Sequence, residues 1–279
     1  MFGRKGLDVK TPDQIRKMRV AGVVVAETLE LMRGQANDGM STGDLDRTAE
    51  EYIRSRGATP SFLGYHGFTG SLCVSVNDEV VHGIPGSRTL RQGDLVSIDC
   101  GAIVDGWHGD AAISLIVGGR EAGSDRDLAL MDATQASMWA GIAALAVGAP
   151  LYEVGGAVED CIVDATGADG LTYGIVEDYV GHGIGTEMHQ DPQVPNYGRP
   201  GRGPRLVQGL VLAVEPMVNL GGRHTRLLDD GWTVVTRDGR PSAHFEHTFT
   251  LTEAGPWVLT ALDGGKSRLT HLLAAPAAG

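Results

Sequence analysis

The chain has 279 residues, 42% hydrophobic and 21% charged, enough for one large domain or two small ones with a sizeable core. Its 35 acidic residues outnumber 23 basic ones, and the net charge of −12 argues against a general polyanion-binding surface, DNA included. No apolar run is long enough to span a membrane, the start lacks a signal-type apolar core, and Cys73, Cys100 and Cys161 form no CxxC pair, so a reducing, cytoplasmic setting is expected.

In chain order, Thr11-Pro12-Asp13-Gln14 predicts a helix start, followed by an apolar stripe from Ile15 to Met32 that stops at Gly34. A second helix is expected from about 42 to 56, with Leu45, Ala49, Tyr52 and Ile53 inward and Gly57 ending it. Strand-like stretches follow: SLCVSV, VVHGI, then DLVSIDCGAIV and WHGDAAISLIV around the turn signal Asp105-Gly106. The order then recurs. Ser124 opens a helix closed by Gly148, another is expected from about 151 to 166, and LVLAVEPMV, GWTVVTR and AHFEHTFTLT read as strands. Helix, helix and strands twice over predict one α+β unit at 11–263, built from similar halves at about 11–120 and 121–263. An arm at 1–10 precedes it, and an Ala-rich, loosely held tail at 264–279 follows.

Five residues are out of keeping with their surroundings. Asp99 lies in VSIDCGA, Asp110 in WHGDAAISL, His182 in VGHGIGTEMH, Glu215 in VLAVEPMV and Glu246 in HFEHTFTL. A charge stranded in such a strand costs several kcal/mol unless it is paired or coordinated. Each has a bland alternative taken alone. Asp99 and Asp110 flank a turn where acids are often solvated, and a bulge at Gly109 would shift their register. A histidine among glycines is as often structural as ligating, and a buried Glu can belong to a salt bridge. Taken together, four carboxylates and an imidazole would repel without cations, which suggests a buried, oxygen-rich site for two divalent metals. His82, after an apolar strand and before a tight turn, is placed as a pocket-rim histidine would be, although taken alone it reads better as a satisfied structural histidine. Tyr65, Phe68, Cys73, Met188 and Trp232 could form an apolar pocket, although such residues are by default core.

These residues stand within a longer pattern: KTPDQIRKMRVAG, GYHGFTGSLCVSVNDEVVHGIPG, GDLVSIDCGA, DGWHGDAA, GHGIGTEMHQDPQVPNYG, VEPMV and DGWTVVTRDGRPSAHFEHT. In their order and spacing the chain resembles the type I methionine aminopeptidases over nearly its whole length. The resemblance implies the pita-bread α+β fold, two pseudo-symmetric halves around a central antiparallel sheet with helices outside. It implies two divalent ions (Mn, Fe, Co or Zn), with Asp99 chelating one, Asp110 and Glu246 bridging both, and His182 and Glu215 completing the other. Glu215 would shuttle the proton. His82 and His189 would contact substrate around the scissile bond, and Tyr65, Phe68, Cys73, Met188 and Trp232 would hold the methionine side chain. Relatives often carry Phe where Met188 stands, Tyr for Phe68 and Cys for Phe62. A monovalent cation near Asn77 and Ser242 is implied as well.

The activity implied is removal of the initiator methionine from nascent chains whose second residue is small, by a monomeric, minimal bacterial-type enzyme. Ribosome contact would use a local basic patch such as Arg199, Arg202 and Arg205, a kind of run that is more often a solvated loop. Two rivals share the fold. A proline-directed peptidase would carry a separate N-terminal domain, for which this chain has no room. A non-catalytic peptide- or ribosome-binding protein would have lost ligands, whereas all five stand.

Overall fold

A computed structural model of the chain describes residues 7–166, 172–198 and 200–274. Helix α1 (Pro12–Gln35) starts where Thr11 and Gln14 satisfy each other's backbone N–H groups. Helix α2 (Thr42–Ser55) starts the same way from Ser41 and Asp44. Strands β1 (Thr59–Pro60), β2 (Leu72–Val76) and β3 (Glu79–Val81) lead to the long pair β4 (Leu95–Val104) and β5 (Trp107–Ile116). Asp105 and Gly106 join that pair with φ of 50° and 79°, the left-handed geometry a tight hairpin needs.

The order recurs with α3 (Asp125–Ala143), capped by Ser124, and α4 (Glu153–Ala165). Strands β6 (Tyr173–Ile175), β7 (Gly181–Gly183), β8 (Gln190–Val194), β9 (Val211–Val214) and β10 (Met217–Leu220) follow. Strands β11 (Thr225–Leu227), β12 (Val234–Thr236), β13 (Ser242–His244), β14 (Glu246–Thr252) and β15 (Gly255–Val258) complete the sheets.

One nine-stranded sheet runs β1-β4-β5-β14-β9-β7-β8, with β2 added to β4 and β15 to β14, all antiparallel. Two smaller sheets run β13-β10-β6 and β11-β12-β3. Within the large sheet the first and second series of strands meet where Glu246 pairs with Ala112 and His247 with Ala111, and β3 meets β12 in one of the smaller sheets. Helix α1 lies across β4 and β5, and α3 against β9, β10, β13 and β14. A β-carbon on Gly109 would stand 2.8 Å from the backbone nitrogen of Gly22 in α1. Gly109 therefore serves close helix packing rather than a bulge, and β4 and β5 stay in register from Leu95↔Ile116 to Val104↔Trp107.

Three expected strands are shorter or divided. VVHGI ends at Val81, because His82 turns to a φ of 60°. LVLAVEPMV breaks at Glu215-Pro216, where proline has no N–H for the ladder, and β10 joins a different sheet from β9. AHFEHTFTLT breaks at Phe245 in the same fashion. The segment expected as a loose tail carries helix α5 (Lys266–Ala274), which packs on α3 and buries Leu269. Residues 275–279 of that tail, and residues 1–6 of the arm, lie outside the described residues. The end of the arm is fastened, with Val9 bridged to Leu210 and the Lys10 N–H donating to Gly209.

Candidate metal centre

The register of the central strands gathers the carboxylates. Asp99 stands opposite Ala112, two residues along β5 from Asp110, so both acids project from one face of the sheet. Glu246 pairs with the same Ala112 from the other side, and the small methyl group leaves room for the acids around it. Glu215 comes from the break between β9 and β10, its carbonyl held by the Asn196 side-chain amide at 3.1 Å.

His182 sits in β7 between two glycines with a packing reason. A β-carbon on Gly181 would lie 2.3 Å from the Ala213 carbonyl oxygen, and one on Gly183 2.3 Å from that of Asp191. Neighbouring backbones thus close in on both sides of the histidine. Its Nδ1 lies 2.9 Å from the Gly183 carbonyl, which can only accept, so Nδ1 carries the proton and Nε2 keeps its lone pair. That Nε2 is 3.4 Å from Glu215 Oε1.

Each of the four acids has an oxygen that is buried without a hydrogen-bond partner: Asp99 Oδ1, Asp110 Oδ1, Glu215 Oε1 and Glu246 Oε1. Burial pushes Asp99 up to about 7, against the lowering effect of its hydrogen bond with Asp110. Asp110, Glu215 and Glu246 are driven well above the carboxylate range, by burial first and then by one another's charge and that of Asp99. Burial, then His189, holds His182 down to about 3. Left to themselves, these groups can neither ionise together nor hydrogen-bond fully. Divalent cations would relieve both problems, and oxygen donors with an imidazole suit them. The residues fit the metal.

Two trios bring one donor atom each within 4.8 Å of one another: Asp110, His182 and Glu246, and Glu215, His244 and Glu246. Glu246 belongs to both. Asp99 stands outside the trios and joins the group through Asp110. His244 escaped the sequence reading, yet it is buried, its Nε2 has no partner, and it lies 4.0 Å from Glu215 Oε2. It ends β13, just before the break at Phe245 that separates it from Glu246, and that break carried no signal in the sequence.

One cavity of about 300 Å³ is lined by every residue singled out as ligand, histidine or pocket wall: Asp99, Asp110, His182, Glu215, Glu246, His82, His189, Tyr65, Phe68, Cys73, Met188 and Trp232. Phe62, Phe68, Cys73 and Met188 form its buried apolar part, with Tyr65, Ile84 and Trp232 packed against them. Cys73 faces Asp99 directly across β2 and β4, so pocket and acids are neighbours. The Phe62 ring fits because position 101 is glycine, where a β-carbon would lie 2.9 Å from it. His82 is held edge-on between Tyr179 and Trp232, at 5.4 and 6.2 Å between ring centres, and burial lowers it to about 4. Tyr179 was not expected, since a lone tyrosine in a loop carries no sequence signal. The His189 and His182 rings are 4.3 Å apart, and Tyr65 Oη lies 2.8 Å from His189 Nδ1.

A family model described as metallopeptidase family M24 matches residues 16–253. The chain is 52% identical over 259 residues to methionine aminopeptidase 1 of Mycobacterium tuberculosis (strain CDC 1551 / Oshkosh), covering 92% of this chain and 96% of that protein. It is 48% identical to methionine aminopeptidase 1 of Bacillus subtilis (strain 168), covering 90% of this chain and 98% of the relative. A crystal structure of methionine aminopeptidase from Thermotoga maritima matches with a TM-score of 0.87 at 39% identity, over 92% of this chain and 100% of the other. Prolidase from Pyrococcus furiosus matches at 0.71 and 19% identity, over 90% of this chain and 65% of its own, a likeness of fold alone. The expected pita-bread α+β architecture is the fold of this chain.

Proposed function

The chain belongs to metallopeptidase family M24, and from that premise we propose that it is a metal-dependent aminopeptidase that removes the initiator methionine from nascent polypeptides whose second residue is small. The observation that carries this reading is a set of four buried carboxylates, each with an unpartnered oxygen, beside an apolar pocket.

Asp99, Asp110, His182, Glu215 and Glu246 would hold two divalent cations. Bound there, the cations would acidify a water and withdraw charge from the peptide carbonyl. Glu215, with Oε1 buried and unpartnered, would accept that water's proton and pass it to the leaving nitrogen. His82 and His189 would hydrogen-bond the carbonyl oxygen as it gains charge. Phe62, Phe68, Cys73 and Met188, with Tyr65 and Trp232, would enclose the methionine side chain. The confined cavity favours a small second residue, because a larger one would meet these walls.

Carboxylate-rich ligation suits manganese, iron or cobalt, and zinc where imidazole contributes. A monovalent cation near Asn77 and Ser242 belongs to the same reading; its support is that the Ser242 N–H donates to the Asn77 carbonyl at 2.9 Å. So do a cytoplasmic setting, a monomeric state and encounter with substrate at the ribosome. Among the described residues all three cysteines are free, and no helix is long and apolar enough to cross a membrane. Of the basic patch, Arg202 and Arg205 are exposed and Arg199 lies outside the described residues.

The test is purified protein reloaded with each cation in turn and offered Met-Ala, Met-Leu and Xaa-Pro peptides. Cation-dependent methionine release from the first, and little from the second, is expected. Xaa-Pro cleavage without methionine release, or no hydrolysis with any cation, would overturn the reading.

A further inference from the structure

Tyr65 was expected only as a wall of the apolar pocket. Its ring does pack against that cluster, but its hydroxyl reaches 2.8 Å from Nδ1 of His189, the hydrogen bond the structure gives it across 124 residues of sequence. The turn that carries Tyr65 is closed by its own backbone. The Tyr65 N–H donates to Phe62 at 2.9 Å, Phe68 donates back to Tyr65 at 2.9 Å, and Gly64 donates to Phe68 at 2.8 Å. Gly64 and Gly67 take φ of 85° and 89°, values that glycine adopts without strain. The backbone that carries Tyr65 is thus fixed, and its ring is packed against the pocket cluster.

We propose that Tyr65 is a positioning residue for His189: its hydroxyl donates to Nδ1, and the ring proton is thereby kept on Nε2. A phenol O–H is a stronger donor than a neutral imidazole N–H, so the O–H···N arrangement is the better of the two that this contact allows. Burial, and then the carboxylates of Glu187 and Asp110, disfavour ionising the phenol, so the donor hydrogen is retained. With Nδ1 satisfied, His189 presents Nε2–H, a donor suited to oxygen that is gaining negative charge. Without the hydroxyl, both tautomers would be populated and the ring could turn. The inference deepens the proposed function and rests on it for its kinetic consequence.

The test is Tyr65→Phe, which keeps the apolar wall and removes one oxygen. In methionine release from a Met-Ala peptide, kcat should fall about tenfold or more while KM stays within about twofold. In a His189→Gln background the same change should cost nothing further. In zinc-loaded wild type, ¹⁵N spectra of the histidine rings should place the His189 proton on Nε2, and Tyr65→Phe should give a mixture. A wild-type proton on Nδ1, an unchanged kcat, or a full additional loss in the His189→Gln background would overturn the assignment. If the wild type releases no methionine, the functional reading fails, while the spectra still decide what Tyr65 does.

Discussion

A buried carboxylate with an orphaned oxygen is an unstable possession for a folded protein unless a cation shares it, and Asp99 illustrates both sides of that statement. Replacing Asp99 with Asn keeps the shape and removes one charge from a crowded cluster. The cation-free variant should unfold no more readily than cation-free wild type, while cation affinity drops by more than the roughly ten- to hundredfold that losing a residue behind a ligand costs, and methionine release falls with it. Calorimetric titration with Mn²⁺ and thermal melts with chelator check the two halves of that expectation. The titration of the same groups predicts a pH profile for the cation-free protein. Asp99, Asp110, Glu215 and Glu246 have raised folded values, so they hold protons that the unfolded chain gives up, and stability falls as pH rises above the usual carboxylate range. His82, His182 and His244, lowered to about 4, 3 and 3, act oppositely, and their contribution is complete once pH passes about 6.5. Melting temperature with chelator should therefore decline between about pH 6.5 and 8, and saturating cation should abolish the decline. A flat or rising profile would count against the carboxylate cluster. The five candidate ligands were legible in sequence because an unpaired polar group among apolar, β-branched or glycine residues breaks a rule. His244 broke none visible from its neighbours, and its burial depends on β13 folding over the cavity.

At the scale of elements, glycines decide where His182 stands. Gly183→Ala would put a methyl group 2.3 Å from the Asp191 carbonyl, which forces β7 and β8 apart. A loss of about 1–3 kcal/mol in denaturant melts is expected, with weakened cation binding because His182 moves with its strand. Gly34→Ala, with nothing within 4 Å of its new methyl, serves as the matched control and should be near neutral or slightly stabilising. Sequence periodicity found α1 to α4 and the β4–β5 hairpin, and the capping residues of α1 and the Asp-Gly turn are local codes that helped. It ran LVLAVEPMV and AHFEHTFTLT through as single strands, since an apolar string does not say that its two ends belong to different sheets. Helix α5 was missed for a related reason: the Ala-rich end of the tail read as slack, although the segment before it packs on α3 and buries Leu269.

On the scale of the whole molecule, Asp99 and Asp110 come from the first series of strands, and His182, Glu215 and Glu246 from the second; within the large sheet the two are joined by the short β5–β14 pairing, and outside it β3 pairs with β12. Cations bound among them would tie the two series together. Chelation should therefore lower amide-exchange protection at β5 and β14 more than within α1, and saturating cation should restore it. Uniform loss of protection would mean that the cations stabilise no particular seam. The same division of ligands bears on how the working protein comes into being. During synthesis Asp99 and Asp110 emerge well before Glu246 is made, so the centre would stay half built, with two acids waiting, until β14 arrives. An enzyme that trims the beginnings of other chains would itself stay incompetent until β14 has been made.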